Sequence, residues 1–193
     1  MTEGKHMFNR VINKKYYKIL ALGLVSTGFV SITHAADEQF NEALQAANAG
    51  NIGLLQQYQA SMQNDVLGYY PEYWSLNANL SAQPSSNIVN FAQRYPQSAM
   101  AEKLAADYVE EKVKQADFAA AQLVLQYVTN ADQAESCAVA QVRAKSGDPL
   151  VFAEYKDVWL TTNSQPESCT GLGRMMLSSP LMTAEDKQQR LWG

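Results

Sequence analysis

Apolar residues recur at intervals of three and four along almost the whole chain, which limits it to helical folds. Side chains at that spacing share one face of an α-helix. The longest such segment runs from Ser98 to Gln115. No stretch alternates apolar and polar residues for long enough to predict a strand. We therefore predict an all-α fold. The apolar residues that share one face of the longest predicted helix are Ala101, Leu104, Ala105, Tyr108, Val109 and Val113.

The charged residues of the same segment fall mainly on other faces of the predicted helix. A run of charges on a helix is usually a solvated face. We expect this one to point into water, and its members are Glu102, Lys103, Glu110, Glu111, Lys112 and Lys114.

Three predicted helix junctions are alike. In each, a small residue ends one helix and an Asn or Asp opens the next. The last two junctions lie 31 residues apart and the first two 66, near twice that. This spacing predicts a superhelical stack of antiparallel helix pairs, as in α-solenoids, with about ten helices. The junctions are Ala49-Gly50-Asn51, Gln115-Ala116-Asp117 and Ser146-Gly147-Asp148.

The N-terminus has the three parts of a secretory signal peptide. Basic residues come first, then Ile19 to Ile32 without a charge, then Thr33-His34-Ala35 as a cleavage site. An uncleaved membrane anchor is the alternative, although the apolar run is shorter than the ~20 residues of a spanning helix. We predict a signal peptide over 1–35, a mature helical domain over 36–193, a periplasmic location and no stable membrane insertion after cleavage.

The charge balance argues against nucleic-acid binding. The leader holds five of the fifteen Lys and Arg and one of the nineteen Asp and Glu. The mature part thus has ten basic and eighteen acidic residues, a formal charge of −8. Such a surface does not attract nucleic acid or anionic lipid.

Two cysteines, Cys137 and Cys169, lie in the mature part. In an oxidising compartment an even number of cysteines predicts a disulfide, and metal binding is the weaker alternative. The only histidines, His6 and His34, belong to the leader. We therefore expect no His-dependent catalysis, no metal and no cofactor. Gly171-Leu172-Gly173 also lacks the spacing and preceding strand of a dinucleotide-binding loop.

Several segments together resemble the N-terminal superhelical, U-shaped domain of soluble lytic murein transglycosylases. The most specific one extends from Cys137 to Cys169, with a Gly-containing turn, Val158-Trp159-Leu160-Thr161 and Ser164-Gln165-Pro166 before the second cysteine. The other segments are Tyr70-Pro71-Glu72-Tyr73-Trp74, Asn90-Phe91-Ala92-Gln93-Arg94-Tyr95-Pro96 and Lys114-Gln115-Ala116-Asp117-Phe118.

The resemblance implies a parent enzyme that cleaves peptidoglycan between N-acetylmuramic acid and N-acetylglucosamine, leaving 1,6-anhydromuropeptides. In this family a single Glu acts in a Glu-Ser-x-Phe motif, followed by Gly-Leu-Met-Gln. Both motifs are missing here, because Glu135-Ser136 and Glu167-Ser168 are each followed by Cys. We assign no catalytic residue and expect a chain truncated before the catalytic domain.

The expected role is noncatalytic, either scaffolding or positioning of a glycan strand. The expected partners are peptidoglycan glycan strands or a C-terminal catalytic domain. Tyr70, Tyr73 and Trp74 are candidate glycan contacts, since aromatic faces stack on sugar rings, although aromatics at helical spacing are more often core. The alternative function is a stand-alone periplasmic, tetratricopeptide-like scaffold for other proteins.

Overall fold

The structure is a computed structural model that describes residues 37–161 and 165–192. The predicted signal peptide therefore lies outside the described residues. Within them the regular structure is helical and contains no strand, so the predicted all-α fold is confirmed. None of the described helices combines the length and the apolar character needed to cross a bilayer.

The helices are short and follow one another closely. Helix α1 covers residues 37–48. The later α-helices are α2 (Ile52–Ser61), α3 (Tyr70–Asn77), α4 (Ser85–Arg94), α5 (Ala99–Lys114), α6 (Phe118–Val124), α7 (Gln133–Lys145), α8 (Val151–Thr161), α9 (Glu167–Leu177) and α10 (Ala184–Trp192). Two 3-10 helices, η1 (Leu80–Ala82) and η2 (Leu125–Tyr127), lie between them.

The chain divides into two compact units, with the boundary between Pro71 and Glu72. In the first unit the buried apolar side chains include Leu55 of α2 and Met62 just after it. The Tyr58 hydroxyl donates a hydrogen bond to Glu42 Oε2 at 2.7 Å and so links α2 to α1.

The second unit is built around α5. Helix α5 packs on α4, α6 and α7, and α7 in turn packs on α8 and α9. Each of these helices thus contacts the next and often the next but one, which is the contact pattern of stacked helical hairpins. The predicted apolar face of α5 is buried as expected, and Leu104, Ala105, Tyr108 and Val109 are fully inaccessible to solvent.

The three junctions share one backbone geometry. Gly50, Ala116 and Gly147 have φ angles of 65°, 58° and 87°, in the left-handed region. The N–H of the following Asn or Asp then donates to the carbonyl five residues earlier, at 2.8–3.1 Å. This is the Schellman ending of a helix. The same Asn or Asp begins the next helix, and Asn51 Oδ1 and Asp117 Oδ1 each accept a backbone N–H at 3.1 Å.

Candidate functional site

The predicted glycan-contact residues lie around the start of α3. Tyr70 belongs to the first unit, while Tyr73 and Trp74 belong to the second. The Tyr70 ring stacks on Tyr69 with 4.5 Å between centroids and meets the edge of Phe40 at 5.3 Å. Aromatic packing therefore accounts for part of the burial of Tyr70, which is half-buried.

Tyr73 and Trp74 are also half-buried. The Tyr73 ring lies 6.5 Å from the ring of Phe91, a fully buried residue of α4, and Phe91 lies 4.9 Å from Tyr95. Tyr73 thus contributes to the core and still keeps part of its surface accessible. That these aromatic residues contact a glycan stays a prediction.

An ion pair that the sequence patterns did not predict joins α3 to α4. Arg94 Nη2 donates to Glu72 Oε1, and this contact raises the pKa of Arg94. The Arg94 guanidinium lies 5.4 Å from the Tyr95 ring centroid, within cation–π distance. The side chain of Glu72 is only 11% exposed, whereas that of Arg94 is 50% exposed. The pair therefore presents a guanidinium and an aromatic ring at the surface over a buried carboxylate.

The two cysteines form the predicted disulfide, which connects α7 to α9. The Cys137 and Cys169 Cα atoms are 4.9 Å apart. Beside the disulfide, Ser168 Oγ donates to the Ala134 carbonyl at 2.8 Å, and Gln141 Nε2 donates to the Ser168 carbonyl at 2.7 Å. The disulfide thus lies in a buried contact between α7 and α9 that also contains the hydrogen-bonded side chains of Gln141 and Ser168.

The two glycines of α9 allow close packing of helices. A Cβ at Gly173 would lie 2.2 Å from Trp159 Nε1, and a Cβ at Gly171 would lie 2.9 Å from the Gln141 amide. Side chains of α8 and α7 therefore lie directly against the backbone of α9. The Gly171-Leu172-Gly173 sequence is explained by helix packing, which its spacing alone did not reveal.

The expectation of a fully solvated charged face on α5 is wrong for Lys112. This residue is only 6% exposed. Its Nζ donates to the Ser81 carbonyl at 2.7 Å and to Gln115 Oε1 at 3.1 Å, and lies 5.2 Å from the Tyr108 ring centroid. The physical reason is that the η1 turn covers this side of α5, and the Ser81 carbonyl of that turn needs a hydrogen-bond donor, which Lys112 supplies.

Glu135, one of the two Glu-Ser glutamates, has a structural role. Its Oε2 accepts the Asp132 backbone N–H at 2.7 Å, while Asp132 Oδ1 accepts the Glu135 N–H at 2.9 Å. This is a capping box at the start of α7. Lys103 also pairs with Glu135 at 3.2 Å and with Asp107 at 2.5 Å. Within residues 37–161 and 165–192 no three metal-ligating side chains come together.

Comparison with known proteins finds structures that share the fold of this chain. No protein-family model and no curated protein matches the sequence. The structure is similar to the crystal structure of the 70 kDa soluble lytic transglycosylase from Escherichia coli, and to a structure of the 70 kDa soluble lytic transglycosylase in complex with bulgecin A. Each comparison gives a TM-score of 0.65 and 20% identity over 81% of this chain and 25% of the other. This chain therefore spans about a quarter of that enzyme's length, and the likeness establishes a shared fold.

Proposed function

We propose that this chain is the noncatalytic helical part of a periplasmic peptidoglycan lytic transglycosylase. In this role it positions a glycan strand and supports a catalytic domain. The observation that carries the proposal is the shared fold, which extends over 81% of the chain at a TM-score of 0.65. A fold alone does not define a function, so the proposal also draws on the sequence resemblance and on the residues of the second unit.

Three features of the chain support this role. The disulfide between Cys137 and Cys169 suits an oxidising compartment such as the periplasm. The N-terminal pattern of basic, apolar and small residues suits export. Partly accessible aromatic rings at Tyr73 and Trp74 suit contact with sugar rings.

The noncatalytic part of the proposal draws on the glutamates that precede serine. The capping box occupies the carboxylate of Glu135, and this gives the residue a structural task at the start of α7. Glu167 is exposed in the first turn of α9, where the negative charge of its carboxylate interacts favourably with the helix dipole. Neither residue has the Phe two positions after the Ser that characterises the family motif.

The experiment combines binding with product analysis. The full chain is incubated with purified peptidoglycan, the insoluble material is sedimented, and the soluble fraction is examined for anhydromuropeptides by mass spectrometry. We expect the chain in the pellet and no anhydromuropeptide above the level of a protein-free control. A chain that stays in the supernatant would contradict glycan positioning and favour a scaffold for other proteins. Anhydromuropeptides formed by the chain alone would contradict the noncatalytic role.

A further inference from the structure

One stretch of the second unit is nearly free of charge. Residues 73–101 contain a single charged side chain, that of Arg94, although 18% of the whole chain is charged. The polar residues of this stretch are instead amides and hydroxyls. Of its amides only Gln83 is half-buried and the others are exposed: Asn77, Asn79, Asn87, Asn90, Gln93 and Gln97.

Helix α4 presents several of these amides along one side. Its opposite face is buried in the unit through Ile88, Phe91 and Ala92. The outer face carries Asn87, Asn90, Gln93 and Arg94, which follow one another at helical spacing and are all exposed. We call this set the amide face of α4. It contains no carboxylate, whereas α5 carries four partly exposed ones, those of Glu102, Asp107, Glu110 and Glu111.

The amide face is partly held in place by its own hydrogen bonds. Asn87 Nδ2 donates to Gln83 Oε1 at 2.9 Å, and Gln93 Nε2 donates to the Tyr127 hydroxyl at 3.1 Å. Arg94 is held by the ion pair described above, and its Nε donates to the Asn90 carbonyl at 3.3 Å. Side chains that are already ordered lose less entropy when a ligand binds.

We propose that the amide face of α4, with the adjoining ring of Tyr95, binds the uncharged backbone of a glycan strand. This inference rests on the function proposed above and assigns a surface to it. An amide offers both a donor and an acceptor, which matches the hydroxyl and N-acetyl groups of amino sugars. Tyr95 supplies an aromatic ring beside these groups. A charged ligand such as a stem peptide would meet only one charged side chain here.

The test uses oligomers of N-acetylglucosamine, which carry the hydroxyl and N-acetyl groups of the strand without its peptides or any charge, with binding to the full chain measured by calorimetry. Each neutral hydrogen bond contributes modestly, so the double substitution Asn90→Ala with Gln93→Ala is expected to weaken binding by about tenfold. Alanine is a better helix former than either amide, and the substitution removes only one exposed hydrogen bond, that from Gln93 to Tyr127, so we expect the variant to keep its fold, which circular dichroism checks. The matched control is Gln56→Ala with Gln57→Ala, two exposed amides of α2, and this pair should leave binding unchanged.

The outcomes separate this inference from the proposed function. If the α4 variant binds the oligomers as tightly as the unchanged chain, the amide face is not the binding surface, and the proposed function stands. If the unchanged chain binds whole peptidoglycan but not the uncharged oligomers, it recognises the peptide or the lactyl group of the strand, and the inference is overturned. If it binds neither, the proposed function itself fails. An equal loss in both variants would also overturn the assignment to α4.

Discussion

The packing of Gly173 against Trp159 gives a quantitative prediction. A Cβ added at position 173 would lie 2.2 Å from the indole Nε1 and 2.9 Å from Cε2. An ordinary contact between such atoms is about 3.5 Å, so the ring or the helix would have to move by roughly 1.3 Å. Trp159 is only 7% exposed and therefore has little space into which to move.

Two effects of Gly173→Ala oppose each other. Alanine is favoured over glycine inside a helix by about 1 kcal/mol. Overpacking a filled core costs about 1–3 kcal/mol, and the required shift places this site at the upper end. We expect a net loss of about 1–2 kcal/mol in the free energy of unfolding. For a chain of this size that corresponds to a melting temperature lower by roughly 2–8 °C.

Thermal and denaturant unfolding followed by circular dichroism would measure the loss. Thr170→Ala is the control, because Thr170 is exposed in the same helix and the substitution should leave stability unchanged or slightly raised. A second comparison replaces Trp159 by Leu, which removes the indole. In that background Gly173→Ala should cost much less. A Gly173→Ala variant as stable as the Thr170→Ala control would refute the reasoning.

Three further predictions concern other parts of the fold. Removing the disulfide by Cys137→Ser with Cys169→Ser should lower the free energy of unfolding by about 3–4 kcal/mol, because 32 residues separate the cysteines. Coincident unfolding curves of the unchanged chain with and without reductant would contradict this. Ala116→Gly should raise the free energy of unfolding by about 0.5–1 kcal/mol, because φ at this position is 58°, in the left-handed region that favours glycine. A lower denaturation midpoint for the variant would count against this. Hydrogen bonds from Lys156 and from the backbone N–H and hydroxyl of Thr183 lower the pKa of Asp186 from 3.8 to about 2, so the contribution of Asp186 to stability is present above pH 3.8 and lost as the pH falls towards 2. Asp186→Asn should therefore weaken the acid dependence of the denaturation midpoint, and an unchanged dependence would contradict this.

The features predicted correctly are those that local sequence determines. Helix faces follow from the spacing of apolar side chains, and the junction at Ala116 and Asp117 follows from capping chemistry within a few residues. The disulfide followed from the cysteine number and the predicted compartment. None of these needs knowledge of which helices touch.

The features that were missed depend on contacts between distant segments. Lys112 is buried because the η1 turn, some thirty residues earlier in the chain, lies over it. The glycines at 171 and 173 matter because α7 and α8 approach α9. The lack of charge over residues 73–101 was present in the sequence, but it acquired a meaning only once the buried and exposed faces of α4 were known.

Sedimentation of the full chain with purified peptidoglycan at low and high salt tests the central claim most directly. Salt weakens attraction between exposed charges but has little effect on hydrogen bonds to neutral amides and on stacking with aromatic rings. We predict that the chain is retained in the pellet to the same extent at both salt concentrations. A chain that remains in solution at both concentrations would contradict its assignment as a glycan-positioning part of a transglycosylase.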